Sequence, residues 1–173
     1  MVKRWHHQEL AFEYFLRNRD LSYLAIDEAK RPVTVDKNFD FLLLTKSKAY
    51  AIDVKGKQIP YTGGSGFLWE TWIHQKDVTG LKQWENLFKP LFKCDVESLI
   101  VYVYWIRDTA FLKDFKSIFE HRGKKYGIKA ITISDFDKHK EKRSGFPTEQ
   151  EVWQVPRKQA KDLLKDIDFF LSN

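Results

Sequence analysis

Charged residues interrupt two apolar runs of the kind that usually form buried strands. Asp40 lies within the run at residues 38–44, and the triplet Asp53-Val54-Lys55 closes the run at residues 50–55. An unpaired buried carboxylate or ammonium group is very costly, so this placement predicts a polar site whose charges are compensated by a cation and a phosphate. Hydrolysis of a phosphodiester bond with a divalent metal uses such groups, since carboxylates hold Mg²⁺ and a lysine orients the attacking water.

Sequence context, rather than the triplet itself, selects Asp53-Val54-Lys55. The pattern Asp/Glu-x-Lys occurs three times, at residues 28–30, 53–55 and 114–116. The first copy lies in a predicted turn and the third on the exposed side of a predicted helix. Only the second lies in an apolar strand with another strand-embedded acid upstream. The alternative is a hairpin at a sheet edge, where charged side chains discourage aggregation.

Hydrophobic periodicity predicts the elements that position these groups. Two strands at residues 39–45 and 49–55, joined by a short polar link, predict an antiparallel hairpin. The rest of the chain predicts helices at residues 5–17, 77–88, 111–120 and 156–171, strands at 23–26, 98–106, 129–133 and 152–155, and a basic loop at 135–148. This order indicates an α/β sandwich with a mixed sheet, formed by one domain over residues 1–173.

Side-chain alternation along the hairpin decides which groups can meet. Asp53 and Lys55 are two residues apart on one strand and therefore point to the same face, which Asp40 reaches if the register brings it alongside. Val54 points into the core on the other face, which leaves its carbonyl as a further ligand. On the first helix, Glu9 borders the apolar stripe, whereas Glu13 turns further away.

At these residues the chain resembles the PD-(D/E)xK nuclease superfamily, particularly archaeal Holliday-junction resolvases and related restriction-type nucleases. The resemblance covers about a third of the chain, through Glu9, Asp40 and Asp53-Val54-Lys55. Two features depart from the family pattern: Phe39 replaces the proline often found before the first aspartate, and Asp53 replaces the commoner glutamate.

The resemblance implies a restriction-endonuclease-like three-layer sandwich, in which a central mixed β-sheet is flanked by helices. It also implies an endonuclease that acts on DNA and depends on Mg²⁺, for which Mn²⁺ can substitute. Its metal ligands would be Asp40, Asp53, the Val54 carbonyl and Glu9. Together with Lys55, the residues Asp40, Asp53 and Glu9 would form the catalytic set.

Basic and polar residues outside the hairpin are candidates for contact with nucleic acid. The chain has a formal net charge of +6, and residues 121–143 contain eight Lys or Arg against three acids. Such a segment suits a polyanion, although a solvated surface is equally consistent with it. The candidate contacts are Lys57, Gln58, Gln83, Lys124, Lys125, Lys140, Lys142 and Arg143. A glycine-rich turn at residues 63–66, flanked by Tyr61, Phe67, Trp69 and Trp72, adds candidates for stacking on bases.

Composition excludes several other classes of protein. The single cysteine, Cys94, rules out an internal disulfide framework and favours a reducing compartment. The longest apolar stretch, at residues 99–106, is too short to cross a membrane, and no signal peptide is predicted at the start. We therefore expect a cytoplasmic protein without a membrane partner. Cutting both DNA strands would require a homodimer or two successive nicks. The alternatives are a catalytically inactive nucleic-acid-binding module or subunit of the same fold, and an interaction domain whose acids are incidental.

Overall fold

The computed structural model describes residues 6–27, 37–60, 69–145 and 151–172. The helices are α1 (His7–Asn18), α2 (Gln75–Phe88), α3 (Ile133–His139), α4 (Arg157–Leu163) and α5 (Asp168–Leu171), with a 3₁₀ helix at Thr109–Asp114. The strands are β1 (Ser22–Ala25), β2 (Phe41–Leu44), β3 (Lys48–Ile59), β4 (Ile73–His74), β5 (Asp95–Ile106), β6 (Ile118–His121), β7 (Lys124–Thr132), β8 (Glu141–Lys142), β9 (Val152–Gln154) and β10 (Lys165–Asp166).

A mixed sheet forms the centre of the fold. Its order is β1-β2-β3-β5-β7-β10, with β6 paired to β7 at one end. Strands β3 and β5 pair in parallel over twelve residues each, and the other pairs are antiparallel. Strand β5 is buried on both faces, as its nearly continuous apolar sequence predicts. A small sheet of order β4-β9-β8 lies beside it.

Helices cover both faces of the large sheet and create two cores. On one face, α1 packs Phe12 and Leu16 against Leu43, Ile52 and Val101. On the other face, helices α2, α3 and α4 pack apolar side chains against Ala51, Ile100 and Tyr102. This is the three-layer α/β arrangement expected from the sequence. None of the helices described is long and apolar enough to cross a membrane.

The hairpin prediction is confirmed, with one shift at its start. Strands β2 and β3 are antiparallel, in the register that places Phe41 opposite Ile52. Asp40 precedes β2 instead of lying within it, and β3 continues four residues beyond Lys55. Trp5, the triplet at residues 28–30 and the aromatic residues Tyr61 and Phe67 fall outside the described residues.

The predicted helix at residues 111–120 is wrong. A 3₁₀ turn ends at Asp114, and β6 then pairs with β7 through a two-residue turn. Both turn residues, Arg122 and Gly123, have positive φ angles of 51° and 70°, as a tight hairpin of this hand requires. A residue followed by glycine, between β-prone segments, was the local signal for this hairpin.

Two further boundary predictions are wrong because side chains impose another geometry. Residues 135–139, expected at the start of a loop, belong to α3, whose first turn is capped by a hydrogen bond from the Asp135 N–H to Thr132 Oγ1 (3.0 Å). The predicted closing helix is interrupted by β10. There the Asp166 carboxylate is 2.7 Å from Lys129 Nζ, and this lysine is buried, so the chain must stay extended beside β7.

Gly127 on β7 admits the ring of Phe115, which follows the 3₁₀ turn. A Cβ at Gly127 would lie 2.3 Å from Phe115 Cδ1, whereas a Cβ at Gly56 would meet only the flexible end of Gln8, at 2.7 Å. We expect Gly127→Ala to lower the free energy of unfolding by about 1 to 3 kcal/mol, and Gly56→Ala to lower it less. Urea denaturation of both variants checks this, and equal losses would contradict the packing described.

Candidate active site

The hairpin opens where β2 begins, at Phe41 opposite Ile52, and this exposes the edge of β3 beyond Ile52. The Asp40 N–H donates to the Ile52 carbonyl (2.7 Å). Asp40 Oδ2 accepts a hydrogen bond from the Val54 N–H (2.6 Å). The carboxylate thus takes the place of the carbonyl that a neighbouring strand would offer. The N–H and C=O of one strand residue point to the same side, so the Val54 carbonyl also faces this open edge.

A cleft of about 730 Å³ lies at this edge. Its described lining is polar for the most part and comes from α1, the segment before β2, strand β3, and the start of α2. The residues are His6, Gln8, Glu9, Lys37, Asn38, Asp40, Asp53, Val54, Lys55, Gly56, Lys57, Trp72, Ile73, His74, Lys76 and Asp77.

The structure brings together the four residues of the catalytic set taken from the sequence. Glu9, Asp40, Asp53 and Lys55 all line the cleft, and the three acids are only 5%, 3% and 2% exposed. The Val54 side chain packs in the core on the α1 side. Glu13, in contrast, accepts hydrogen bonds from Arg17 and Tyr23. Glu9 is therefore the α1 carboxylate that lines the cleft.

Two buried carboxylates and the ammonium groups of two partly exposed lysines form a ring in the cleft. Lys37 Nζ is 2.8 Å from an oxygen of Asp53 and 2.8 Å from an oxygen of Asp77. Lys55 Nζ is 2.7 Å from the second oxygen of Asp53 and 2.8 Å from the second oxygen of Asp77. Each acid thus contacts both lysines, and each lysine contacts both acids. We call these four residues the charge ring.

Helix α2 and the segment before β2 hold the two members of the charge ring that lie outside β3. Asp77 is in the first turn of α2, where Oδ2 also accepts the His74 N–H (3.3 Å) and a carboxylate is favoured by the helix dipole. The Lys37 carbonyl accepts a hydrogen bond from Trp84 Nε1 (2.8 Å). Gly80 allows this close approach, since a Cβ there would lie 3.1 Å from the same carbonyl oxygen.

The pKa values of the ring members follow from burial and mutual attraction. Burial alone would lower the pKa of Lys55 and of Lys37, but the nearby carboxylates of Asp53 and Asp77 raise both above their usual value. Burial would raise the pKa of Asp77, yet Lys55 and Lys37 lower it to about 2. Both lysines and Asp77 are therefore charged at neutral pH.

Lys37 and Asp77 were not among the site residues predicted from the sequence. The signal for Asp77 was its position three residues after His74, just inside an amphipathic helix, where an acid commonly caps the first turn. Lys37 carries no local signal, because only the tertiary approach of its backbone to α2 brings its ammonium group to Asp53.

The predicted nucleic-acid contacts are spread over the surface. Of them, Lys57 lines the cleft, whereas the described lining includes neither Gln58 nor Gln83. Lys124 and Lys125 begin β7, and Lys124 Nζ lies 4.3 Å from the centre of the Trp105 ring. Lys140, Lys142 and Arg143 lie at or beside β8, where Lys140 pairs with Asp137 and Arg143 with Glu70. Arg143 Cζ and Lys57 Nζ lie 5.8 Å and 4.3 Å from the centre of the Trp72 ring, so these two basic residues are neighbours at one wall of the cleft.

The donors of the cleft fit a divalent cation in their chemistry. Glu9, Asp40 and Asp53 offer the hard oxygen ligands that Mg²⁺ prefers, and the Lys37 ammonium already stands as a cation between Asp53 and Asp77. The cleft is lined by four carboxylates and four lysines, and the two carboxylates outside the charge ring are those of Glu9 and Asp40. Nevertheless, across the described parts of the chain no three His, Cys, Asp or Glu side chains are grouped around one metal position.

A known protein shares this fold. The structure is similar to that of Hjc, a Holliday junction resolvase from the archaeal hyperthermophile Archaeoglobus fulgidus, with a TM-score of 0.53 and 10% sequence identity. The similarity covers 94% of this chain and 96% of the resolvase chain. No family model and no curated protein sequence matches this chain. The similarity confirms the predicted nuclease-type fold, a mixed sheet flanked by helices.

Asp77 should make stability depend on pH in the acid range. Its pKa is about 2 in the folded protein against 3.8 ordinarily, so its ionised form stabilises the fold above pH 3.8, and this contribution is lost as the pH falls toward 2. We expect Asp77→Asn to lower the free energy of unfolding by about 3 kcal/mol at neutral pH, with a difference from wild type that shrinks below about pH 4.

Urea denaturation at a series of pH values measures that difference. Asp162→Asn, at an exposed position on α4, is the control and should show no such trend. A constant difference between wild type and Asp77→Asn from neutral pH down to acid pH would contradict the pairing of Asp77 with the two lysines.

Proposed function

We propose that this protein is a metal-dependent endonuclease that hydrolyses phosphodiester bonds in DNA. One observation carries the proposal: Asp40, Asp53 and Lys55 line one cleft at the open edge of β3, within a fold shared with a Holliday junction resolvase. Glu9 joins them from α1. Buried acids beside a lysine in a cleft are more typical of catalysis than of structural stabilisation.

The metal in this proposal is Mg²⁺, for which Mn²⁺ can substitute. Asp40, Asp53 and the Val54 carbonyl would hold it, with Glu9 binding directly or through water. When bound, such an ion supplies an activated water and neutralises charge on the phosphoryl oxygens. Lys37 contacts Asp77 as well as Asp53, so Asp77 would still pair with it if Asp53 held the ion.

Lys55 orients the attacking water and offsets the charge of the phosphate. Asp53 and Asp77 fix its ammonium group from two sides, so its position does not depend on Asp53 alone. Asp77 would hold Lys55 at the reacting phosphate even if Asp53 contributed an oxygen to the metal. This division of work gives Asp77 a positioning role.

Branched DNA is the first substrate to examine, since the protein of similar fold is a Holliday junction resolvase. Cleavage of both strands would need either a homodimer or two successive nicks. A cytoplasmic location and a single domain over residues 1–173 stay predictions from the sequence.

The second candidate function is a nucleic-acid-binding module without catalysis. It is favoured by the charge ring, in which lysines contact both oxygens of Asp53, and by the absence of a three-ligand metal group among the described residues. In that case the ring would be a purely structural device, and DNA would bind without being cut.

Cleavage assays separate the two functions. Purified protein is incubated with branched, duplex and single-stranded DNA and with RNA, in Mg²⁺, Mn²⁺ or EDTA. We expect cleavage that requires the metal and that Asp53→Asn or Lys55→Met reduces at least about a hundredfold. Lys55→Met leaves Asp53 paired with Lys37, so the fold should be retained, as circular dichroism can verify.

The chain supplies its own matched control. Asp114 and Lys116 belong to the Asp-x-Lys triplet that begins at the last residue of the 3₁₀ helix. The substitutions Asp114→Asn and Lys116→Met should leave cleavage unchanged. DNA binding without cleavage on any substrate, in wild type and in Lys55→Met alike, would reject the enzyme and support the binding module.

A further inference from the structure

Lys57 is a buried lysine that the proposed chemistry does not use. It follows Asp53 and Lys55 on the same face of β3 and lines the same cleft. Only 10% of its side chain is exposed. Its ammonium group lies over the Trp72 ring, 4.3 Å from the ring centre, and 5.9 Å from the centre of the Tyr102 ring.

Lys57 has no close counter-ion among the residues that the structure describes. The nearest carboxylate oxygen, on Glu70, is 4.0 Å from Lys57 Nζ. The other oxygen of Glu70 is 2.8 Å from Arg143 Nη1, so this carboxylate is already engaged by a second cation. The contrast with Lys55, which has two carboxylate oxygens within 2.8 Å, is clear.

Burying a cation in this way lowers the stability of the folded protein. Burial lowers the pKa of Lys57 to about 8; Glu70 opposes the shift, while Arg143 and Lys55 add to it. The remaining polar neighbours, Tyr102 and Tyr104 on β5, are buried and have raised pKa values, so they stay neutral. A further anion beside Lys57 would therefore stabilise its charged form.

The spacing of Lys55 and Lys57 along β3 suits two neighbouring phosphates of a nucleic-acid strand. Successive residues on one face of a strand are roughly 6.6 Å apart, a distance comparable to that between neighbouring phosphates of an extended nucleic-acid strand. A strand of DNA that places one phosphate at Lys55 therefore brings the next phosphate to Lys57 along the open edge of β3. Trp72 forms the wall of the cleft at this point.

We propose that Lys57, held against Trp72, forms a second phosphate subsite that binds the nucleotide next to the reacting phosphodiester. This inference rests on the proposed function, since it takes DNA as the ligand. Lys57 would fix the position of the bound DNA strand along the cleft, whereas Lys55 of the charge ring would contact the reacting phosphate.

Binding and stability should respond in opposite directions when Lys57 is replaced. Lys57→Met keeps the apolar stem against Trp72 and removes the buried charge, so the melting temperature should be unchanged or higher. DNA affinity should fall about tenfold at neutral pH, since one charged contact with the backbone is lost. The plot of log affinity against log salt concentration should lose about one unit of slope.

The test is fluorescence anisotropy with a short labelled DNA duplex in EDTA, so that no cleavage occurs. Lys113→Met, an exposed lysine of the 3₁₀ turn, is the control and should match wild type. The affinity of wild type should fall as the pH rises above about 8, where Lys57 loses its proton. Lys57→Arg, which stays charged, should bind equally well over that range.

The outcomes separate this inference from the proposed function. If wild type binds DNA and Lys57→Met binds it with the same affinity and the same salt dependence, the subsite is rejected while the nuclease proposal stands. A Lys57→Met variant that melts at a lower temperature with unchanged DNA affinity would show that Lys57 is structural, and would also reject the subsite. If wild type binds no DNA under any condition, the proposed function fails, and the subsite fails with it.

Discussion

Mutual neutralisation of Asp53, Asp77, Lys37 and Lys55 is the interaction on which the arrangement of the cleft depends. Asp53 and Asp77 are 2% and 3% exposed, and a carboxylate at such depth is tolerated only when it is paired. The charge ring joins three parts of the chain that are distant in sequence: strand β3, the segment before β2 and the first turn of α2. It therefore fixes how α2 sits on the sheet and where the hairpin opens. The Trp84–Lys37 hydrogen bond and the close approach at Gly80 support the same geometry from the helix side.

The same charges connect the stability of the fold to its proposed chemistry. A hydrophobic core at this point would give a more stable protein, because buried ion pairs seldom stabilise as much as apolar packing. What the charge ring provides is an ordered set of charged groups at an open strand edge. Under the proposed function, a cation and a phosphate would replace some of the lysine contacts, and Asp77 would still hold Lys55, which contacts Asp77 as well as Asp53. Lys57, whose nearest carboxylate oxygen is 4.0 Å away, would bind a further phosphate along β3.

The sequence predicts those parts of the structure that local pattern determines. Runs of apolar residues place the ends of β2, β3 and β5 to within four residues. That Asp53 and Lys55 lie on one face follows from strand periodicity alone. The register that brings Asp40 to the Val54 N–H, and the approach of Lys37 to Asp53, depend on contacts between segments far apart in sequence, so no local pattern reveals them. The region at residues 111–120 shows the opposite failure: helical spacing was present, but the Arg122-Gly123 turn and the packing of Phe115 on Gly127 favour a hairpin. At residues 165–166, the buried Lys129 needs the carboxylate of Asp166, and this tertiary demand overrides helix propensity.

The most direct test of a metal-dependent site is anomalous diffraction from crystals of the protein soaked in Mn²⁺. We predict an anomalous peak from a Mn²⁺ ion bound by Asp40 and Asp53. Lys37 should then have moved away from Asp53, and Lys55 should still contact Asp77. The opposite result would be Mn²⁺ bound elsewhere in the crystal, no peak in the cleft, and Asp53 still paired with both lysines. It would contradict a metal site at Asp40 and Asp53. That result would leave the charge ring as a structural device and the protein as a binding module.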